Sequence, residues 1–531
     1  MNIQITVKNY RSFNDANPLR IDICNGFIAL VGPNNSGKSS CLKFFYELRN
    51  LWREFSGDTL VNFSNGSSIV TCPHYLAVED PEEIFCDANN RAITIEIKIE
   101  NSGIAMSGLS SINLVRVSCS RDNMTSWKFE FFHGKAQEIL NILPNKNKVD
   151  LISNGVLRVD NEQFDFTDLT EVMSDLTNML YIGPFRNAIN EGAGTYFDLA
   201  IGSAFISTWN QWKTGGVKAH SRAIESITAN IRQIFEYESL EINASVQLNT
   251  LATSINGKPY RLSELGAGLS QFIIVLGNAA IAKPSYILVD EPELHLHPSL
   301  QIDFLTSLAS YARKGVIYAT HSIGLARTTS EKIYSFQKKD GYSIVKNFDQ
   351  TPSYAEFLGE LSFSAFKEMG CDQILLVEGI TDVKVIQQFL RKMKKDHRIV
   401  ILPLGGNQLA KGGVEQELGE LLRLSPHISA VVDSERKSHN AEPIQERTNF
   451  QITCNKLGID ALLTERRAIE NYLTDTAIKS VFGKKYKALE YYESLRDSVL
   501  GWSKNDNWKI AGQMTLAEIE DTDLGKFLAK L

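Results

Sequence analysis

The stretch Phe27-Ile28-Ala29-Leu30-Val31, followed by Gly32-Pro33-Asn34-Asn35-Ser36-Gly37-Lys38-Ser39-Ser40, limits what this chain can fold into more than any other. An apolar run of strand length feeds a glycine-framed loop, and Cys41–Leu48 then reads as a helix. Strand, loop and helix N-terminus are the order a nucleotide phosphate site needs. Glycine lets the backbone curl so that the N–H groups of the loop point inward, and the helix end adds partial positive charge. In such a loop Lys38 reaches the β- and γ-phosphates and the Ser39 hydroxyl ligates Mg²⁺.

Three later stretches answer to this loop. Tyr286-Ile287-Leu288-Val289-Asp290-Glu291 is an apolar strand ending in two carboxylates. Asp290 is placed to hold Mg²⁺, through water, and Glu291 to polarise an attacking water. Gly315–Ser322 is a second buried strand that delivers His321, either a structural histidine or a γ-phosphate sensor. Leu262–Gln271 is a glycine turn opening a helix, a further N-terminus suited to phosphate. Together the four elements resemble an ABC-type ATPase head. The resemblance implies ATP sandwiched between two subunits, with Gly268 of one subunit's signature facing the P-loop of the other. Where that signature has Ser, this chain has Gly266.

The chain has 531 residues, more than one core usually supports, so two or three domains are expected. Its net charge of −7 argues against a basic nucleic-acid coat but leaves room for a local basic channel. The seven cysteines form no CxxC pair, so neither a disulfide framework nor a zinc site is suggested. No apolar run approaches the ~18 residues of a membrane span, and the start lacks the plan of a signal peptide. The reading is a cytoplasmic protein with no membrane contact, and not a transporter carrying its own channel. No long coiled coil separates the P-loop from the signature, which disfavours a chromosome-tethering ATPase.

Strands are expected at 3–7 and 19–31, then a polar surface insertion over 50–92. Ile93–Ile99, Asn113–Ser118, Trp127–Phe132 and Val156–Phe166 read as a mostly antiparallel β lobe. Tyr181–Arg186 reads as a short strand, turn and arginine. Residues 198–240 read as helical; Ile224, Ile227, Ile231 and Phe235 mark one face, serving either the core or a dimer interface. Asn256-Gly257 and Asp340-Gly341 mark hairpin turns. A short helical linker leads to a domain boundary near 365–372.

The second half opens with Ile374-Leu375-Leu376-Val377-Glu378-Gly379 and a helix whose first turn holds Asp382. Arg398–Leu404 is a strand reaching Gly405-Gly406-Asn407. Ile428–Val432 delivers Asp433 and Glu435, which share a face on an extended strand end. A glutamate after one parallel strand and an acidic pair after another resembles the Toprim metal fold, with Asp-x-Glu where Asp-x-Asp is usual. Ile469-Glu470-Asn471-Tyr472-Leu473 following these elements resembles the OLD (overcoming lysogenisation defect) nucleases, a family that includes the Gabija nuclease subunit and retron effectors. The resemblance covers essentially the whole chain. It implies an α/β protein with an ABC-type head over 1–365, carrying an inserted β lobe and a dimerising helical region, then a Toprim domain over 371–531. Metal ligands would be Glu378, Asp382, Asp433, Glu435 and Glu470, with Ser39 and Asp290 at the ATP site; Glu465 is a weaker candidate. Lys509 is chosen as the late catalytic lysine, with Lys504 close by. Cofactors would be ATP and Mg²⁺, with Mn²⁺ able to substitute. Partners would be DNA, a second copy of the chain, and a defence-system protein or nucleoprotein such as a reverse transcriptase with its DNA/RNA, or a helicase. The basic run 391–398 tracks a DNA backbone or ends a helix in solvent. The competing readings are an SMC-like DNA clamp without its own nuclease, a primase or topoisomerase, and a nucleotide-sensing subunit.

Overall fold

The computed structural model describes residues 2–56, 59–100, 109–134, 137–142, 147–153, 155–184, 193–247, 249–294, 296, 298–339, 341–347, 373–396, 398–404, 415, 418, 422, 427–498 and 500–531. The apolar run at the P-loop becomes the buried strand Gly26–Val31 inside a six-stranded sheet. Its neighbours are Gly315–Thr320 and Lys332–Lys339, both parallel to it. Tyr286–Asp290 lies beyond Gly315–Thr320, and Leu180–Ile182 forms that edge. The far edge is the antiparallel hairpin strand Tyr342–Asn347. The registers pair Val31 with Thr320, and Ala319 with Asp290. The carboxyl ends of three neighbouring strands are therefore level, the edge where open α/β sheets place ligands.

The β lobe is a ten-stranded sheet, antiparallel except where Glu162–Asp165 runs parallel to Ser110–Cys119. Alternation sets its inner face: Ile93, Ile95, Ile97 and Ile99 are all buried. Residues 50–92 are not a surface insertion. They contain helices Arg49–Ser56 and Thr59–Ser64 and a strand, Ile69–Thr71, paired with Ser126–His133. Trp52, Phe55 and Phe63 supply the reason: all are buried, with Phe55 packed on Phe129 and Phe63 on Phe131 at centroid distances of 5.3 and 4.8 Å.

In the helical region, Gly202–Thr214 and Lys218–Ile234 form. The face of Ile224, Ile227 and Ile231 is buried within the chain, and Phe235 meets Phe272 edge-on at 5.2 Å. Phe272 belongs to Ala267–Ala282, apolar all round and buried over most of its length. The core takes this face, so it is not left over for a dimer.

The second sheet is wholly parallel, in the order Ile399–Pro403, Gln373–Val377, Ile428–Val432, Asp460–Leu463. Strand order reverses between Gln373–Val377 and Ile428–Val432, a topological switch point, the place where open α/β sheets bind ligands at their carboxyl edge. The strand Asp460–Leu463 was not foreseen. Helix Ile380–Lys392 joins this sheet to the first half. Lys384 (1% exposed) bonds Glu331 at 2.6 Å and lies 4.1 Å from the Phe27 ring centroid. Gln387 donates to Asp303 at 2.8 Å, and Arg391 contacts the same carboxylate. Arg391 is thus no free cation for DNA, and Lys392 and Lys395 donate to the Gly512 and Ala529 carbonyls. Arg186, Asp340, the boundary near 365–372, His397 and Gly405–Asn407 lie outside the described residues.

Candidate functional site: two strand-end clusters

The loop after Gly26–Val31 needs glycine for close approach. A Cβ on Gly32 would stand 2.2 Å from the Phe336 carbonyl oxygen, and one on Gly37 would stand 2.4 Å from Ser343 Oγ. Gly37 has φ +104° and Asn35 φ +60°, the left-handed region that glycine and asparagine tolerate best. The loop ends on helix Lys38–Glu47. Asn34, Asn35, Ser36, Gly37, Lys38, Ser39 and Ser40 line a cavity of ≈ 420 Å³, with Glu291 across from them and Arg11, Phe85 and Tyr342 on other walls.

Lys38 is 4% exposed, and its Nζ donates to the Gly32 and Pro33 carbonyls at 2.7 and 2.9 Å. Burial lowers its pKa, opposed by Asp290 and Glu291. It lies 3.4 Å from His321 Nε2, which is 3.5 Å from Glu291 Oε1. A chain of polar groups therefore crosses the strand ends. Asp290 is buried, which raises its pKa; Ser39 donates to it, and its Oδ1 has no hydrogen-bond partner. An orphaned buried carboxylate oxygen beside a hydroxyl is a donor set suited to a hard divalent ion. Glu291 has φ +55°, a strained backbone of the kind that gathers at functional sites. Glu293, not singled out in the sequence, accepts from Thr320 Oγ1 at 2.7 Å and from the His321 N–H at 2.8 Å, fixing where His321 sits. Gly268 is not among the cavity's lining residues. A Cβ on Gly266 would meet nothing within 4 Å, so sterics do not impose glycine there.

The second cluster gathers at the switch point. Asp382 sits in the first turn of its helix and accepts from the Gly379 N–H at 2.9 Å. Asp433 ends its strand and accepts from the Ile469 N–H at 2.9 Å. Glu470 lies on the short turn Ile469–Tyr472. Asp382, Asp433 and Glu470 are each 6% exposed or less, and Glu378 is partly buried. Burial, then the neighbouring Glu378 and Glu470 charges, pushes Asp382 up to about 7. Burial first, then Asp382, Glu378 and Glu470, raises Asp433 well above its ordinary value. Burial also raises Glu378, against Arg447.

Two cations of the chain face these acids. Lys504 Nζ is 2.8 Å from Glu470 Oε1, and buried Arg447 contacts Glu378. Burial pulls the Lys504 pKa down, but Glu470, Asp433 and Asp382 outweigh it and raise it. Glu378 Oε2 and Glu470 Oε2 remain buried without hydrogen-bond partners. Among the described residues no three His, Cys, Asp or Glu side chains are drawn together as a finished metal cage. The all-carboxylate donors nevertheless suit Mg²⁺ or Mn²⁺.

The chain's first half is decided by comparison with known families. The family model described as AAA ATPase domain matches residues 1–179 and 187–326. The chain belongs to the AAA ATPase domain family. Among solved structures it is similar to an Smc head bound to the C-winged helix domain of ScpA, at 13% identity and TM-score 0.38, covering 65% of this chain and 97% of that one. It is also similar to the SMC head domain from Thermotoga maritima, at 13% identity and TM-score 0.33, covering 66% and 100%.

Within the AAA ATPase domain, Gly32 to Ser40, Asp290, Glu291 and His321 converge on one edge. In the second sheet, Glu378, Asp382, Asp433 and Glu470 converge as well. Glu435 stands beside them with φ +54° and is paired to Arg467 at 2.7 Å. Of the two late lysines, Lys509 pairs with Asp506 at 2.9 Å, while Lys504 reaches Glu470 at 2.8 Å. Glu465 is exposed, its N–H donating to Asp523. Arg447 was missed, although a signal existed: it shares the buried face of Gln445–Lys456 with Phe450 and Cys454. A charged residue on an apolar face asks for a buried partner.

Proposed function

We propose that the chain is an ATP-regulated, divalent-metal-dependent DNA endonuclease of the OLD type, acting in anti-phage defence. The observation that carries this is the set of four carboxylates, Glu378, Asp382, Asp433 and Glu470, brought from separate segments to the sheet's switch point. Holding like charges together out of water is unfavourable unless cations offset them. On this reading 1–365 is an ABC-type ATPase head and 371–531 a Toprim domain.

In the head, Lys38 and the N–H groups of the loop hold the triphosphate, and Ser39 and Asp290 hold the magnesium that would screen it. Glu291 orients a water and takes its proton at the carboxylate, while Glu293 keeps His321 in place beside it. Gly268 completes the site of a second copy.

In the second sheet, Glu378, Asp382, Asp433 and Glu470 would hold the metal, with Glu435 held to one side by Arg467. Bound divalent ions supply Lewis acidity, activating a water and stabilising the leaving oxygen of a phosphodiester. Asp382 and Asp433 must release their protons to act as donors. Lys504 Nζ offers a cation to a phosphate oxygen, and Arg447 holds Glu378 in place. Incubating supercoiled plasmid with Mg²⁺ or Mn²⁺, with and without ATP, tests the proposal. Metal-dependent nicking supports it; no nicking under any combination leaves a DNA clamp as the better reading.

A further inference from the structure

Aromatic and basic side chains lie in segments hydrogen-bonded to the strand end that carries Asp433 and Glu435, and the reaction sketched above makes no use of them. Tyr491 is 57% exposed, the most open of the exposed large hydrophobic side chains among the described residues. Its backbone is not loose. The Tyr491 carbonyl accepts from the Arg467 N–H at 2.9 Å, the Arg467 carbonyl accepts from the Glu435 N–H at 2.9 Å, and Glu435 stands two residues past Asp433. The ring is therefore tied to the strand end that carries the acids.

One side of that ring is already occupied. The Arg466 guanidinium lies 4.2 Å from the Tyr491 centroid and 4.6 Å from that of Tyr472. Tyr472 is 1% exposed, with its hydroxyl bonded to Asp523 at 2.6 Å, and Arg466 donates to the Asn471 carbonyl at 2.8 Å. A buried ring, a fixed guanidinium and an exposed ring thus form a stack whose outer member is open to solvent. Basic residues flank it. Lys484, Lys485 and Lys487 are exposed in the segment leading to Tyr491. His439 reaches the Tyr492 hydroxyl at 3.2 Å, which ties the segment that carries Arg436 and Lys437 to the residue after Tyr491. Arg436 Nε is shut off from solvent and has no hydrogen-bond partner.

We propose that this stack is a platform for an unpaired DNA strand, Tyr491 stacking on a nucleobase while the flanking cations track the phosphates toward the carboxylate cluster; this rests on the nuclease reading. Bases in a duplex are stacked on each other, so an open ring backed by a guanidinium fits a strand whose bases are free. The platform would favour frayed, gapped or single-stranded substrate.

Anisotropy of a labelled oligonucleotide of about 20 nucleotides, single-stranded or as a blunt duplex, with the full chain in Ca²⁺ tests this. Tyr491→Ala should bind the single strand about 5- to 100-fold more weakly, Tyr491→Phe within about twofold of the parent, and the duplex should be little affected by either. Equal loss on single strand and duplex would overturn the proposal, as would no loss on either, or tighter binding of the matching RNA. A parent that nicks plasmid while Tyr491→Ala keeps full single-strand affinity removes the platform alone. A parent that neither binds nor nicks DNA removes the nuclease reading with it. Because Tyr491 is exposed, an unchanged thermal midpoint separates lost stacking from lost folding.

Discussion

Asp382 keeps its proton to about 7 because it is buried beside Glu378 and Glu470, and that has a consequence for stability. Between the unfolded value of 3.8 and about 7, the folded chain holds a proton that the unfolded chain has released. Stability therefore falls as pH rises through that window, and the penalty is complete above it. Asp382→Asn, studied with chelator present, should raise the thermal midpoint more at pH 8 than at pH 5, a difference on the order of 1–3 kcal/mol. An equal shift at both pH values would contradict the cluster's electrostatics. At the other edge, Lys38→Ala should weaken ATP binding at least about tenfold, because no other side chain of the loop carries a cation. Glu291→Gln should bind ATP but hydrolyse it about 100-fold more slowly; isothermal titration and phosphate release read the two. Residues that end apolar runs, such as Asp290, Glu378 and Asp433, were legible because a buried strand leaves one place for its next side chain. Glu293, Arg447 and Lys504 were not singled out at their true weight, since their roles come from contacts across long sequence separations.

At the scale of elements, helix Ile380–Lys392 carries Asp382 in its first turn and Lys384, Gln387 and Arg391 on the side that meets the first half. Lys384 is buried against Glu331, whose carboxylate also accepts from the Phe27 N–H at the start of the P-loop strand. Removing one partner of such a pair leaves a stranded charge, so Lys384→Met should cost about 3–5 kcal/mol. Adding Glu331→Gln should recover part of that loss in denaturant unfolding, and additive losses would show that the pair is not coupled. The helix was readable from its apolar spacing, but its docking was not: Lys384 and Arg391 look like solvent-facing charges until Glu331 and Asp303 appear. The same limit explains residues 50–92, where short helices bring Trp52, Phe55 and Phe63 into the lobe without a long periodic signal. The hairpin at Asn256-Gly257 was legible, because positive φ at Asn256 and Gly257 is local chemistry.

At the scale of the whole molecule, among the described residues, the ATPase half and the acid cluster meet at that helix, at Trp508, whose ring lies 6.5 Å from that of Phe27, and where Ile323–Thr329 lies against Ile399–Pro403. The helix start at Gly266 is exposed and does not line the cavity, and in the proposed arrangement it completes a second copy's site. Glu291→Gln with ATP should therefore run as a dimer in light scattering, and a monomer with and without nucleotide would contradict that arrangement. In the proposed mechanism the carboxylates around Glu378 and Asp433 cut DNA while the P-loop only governs the cut. The most direct measurement is plasmid nicking by Glu378→Ala and Asp433→Ala in Mn²⁺, with ATP affinity measured on the same samples. Nicking should be abolished in both variants, with ATP affinity within about threefold of the parent. Nicking at the parental rate in both would contradict it.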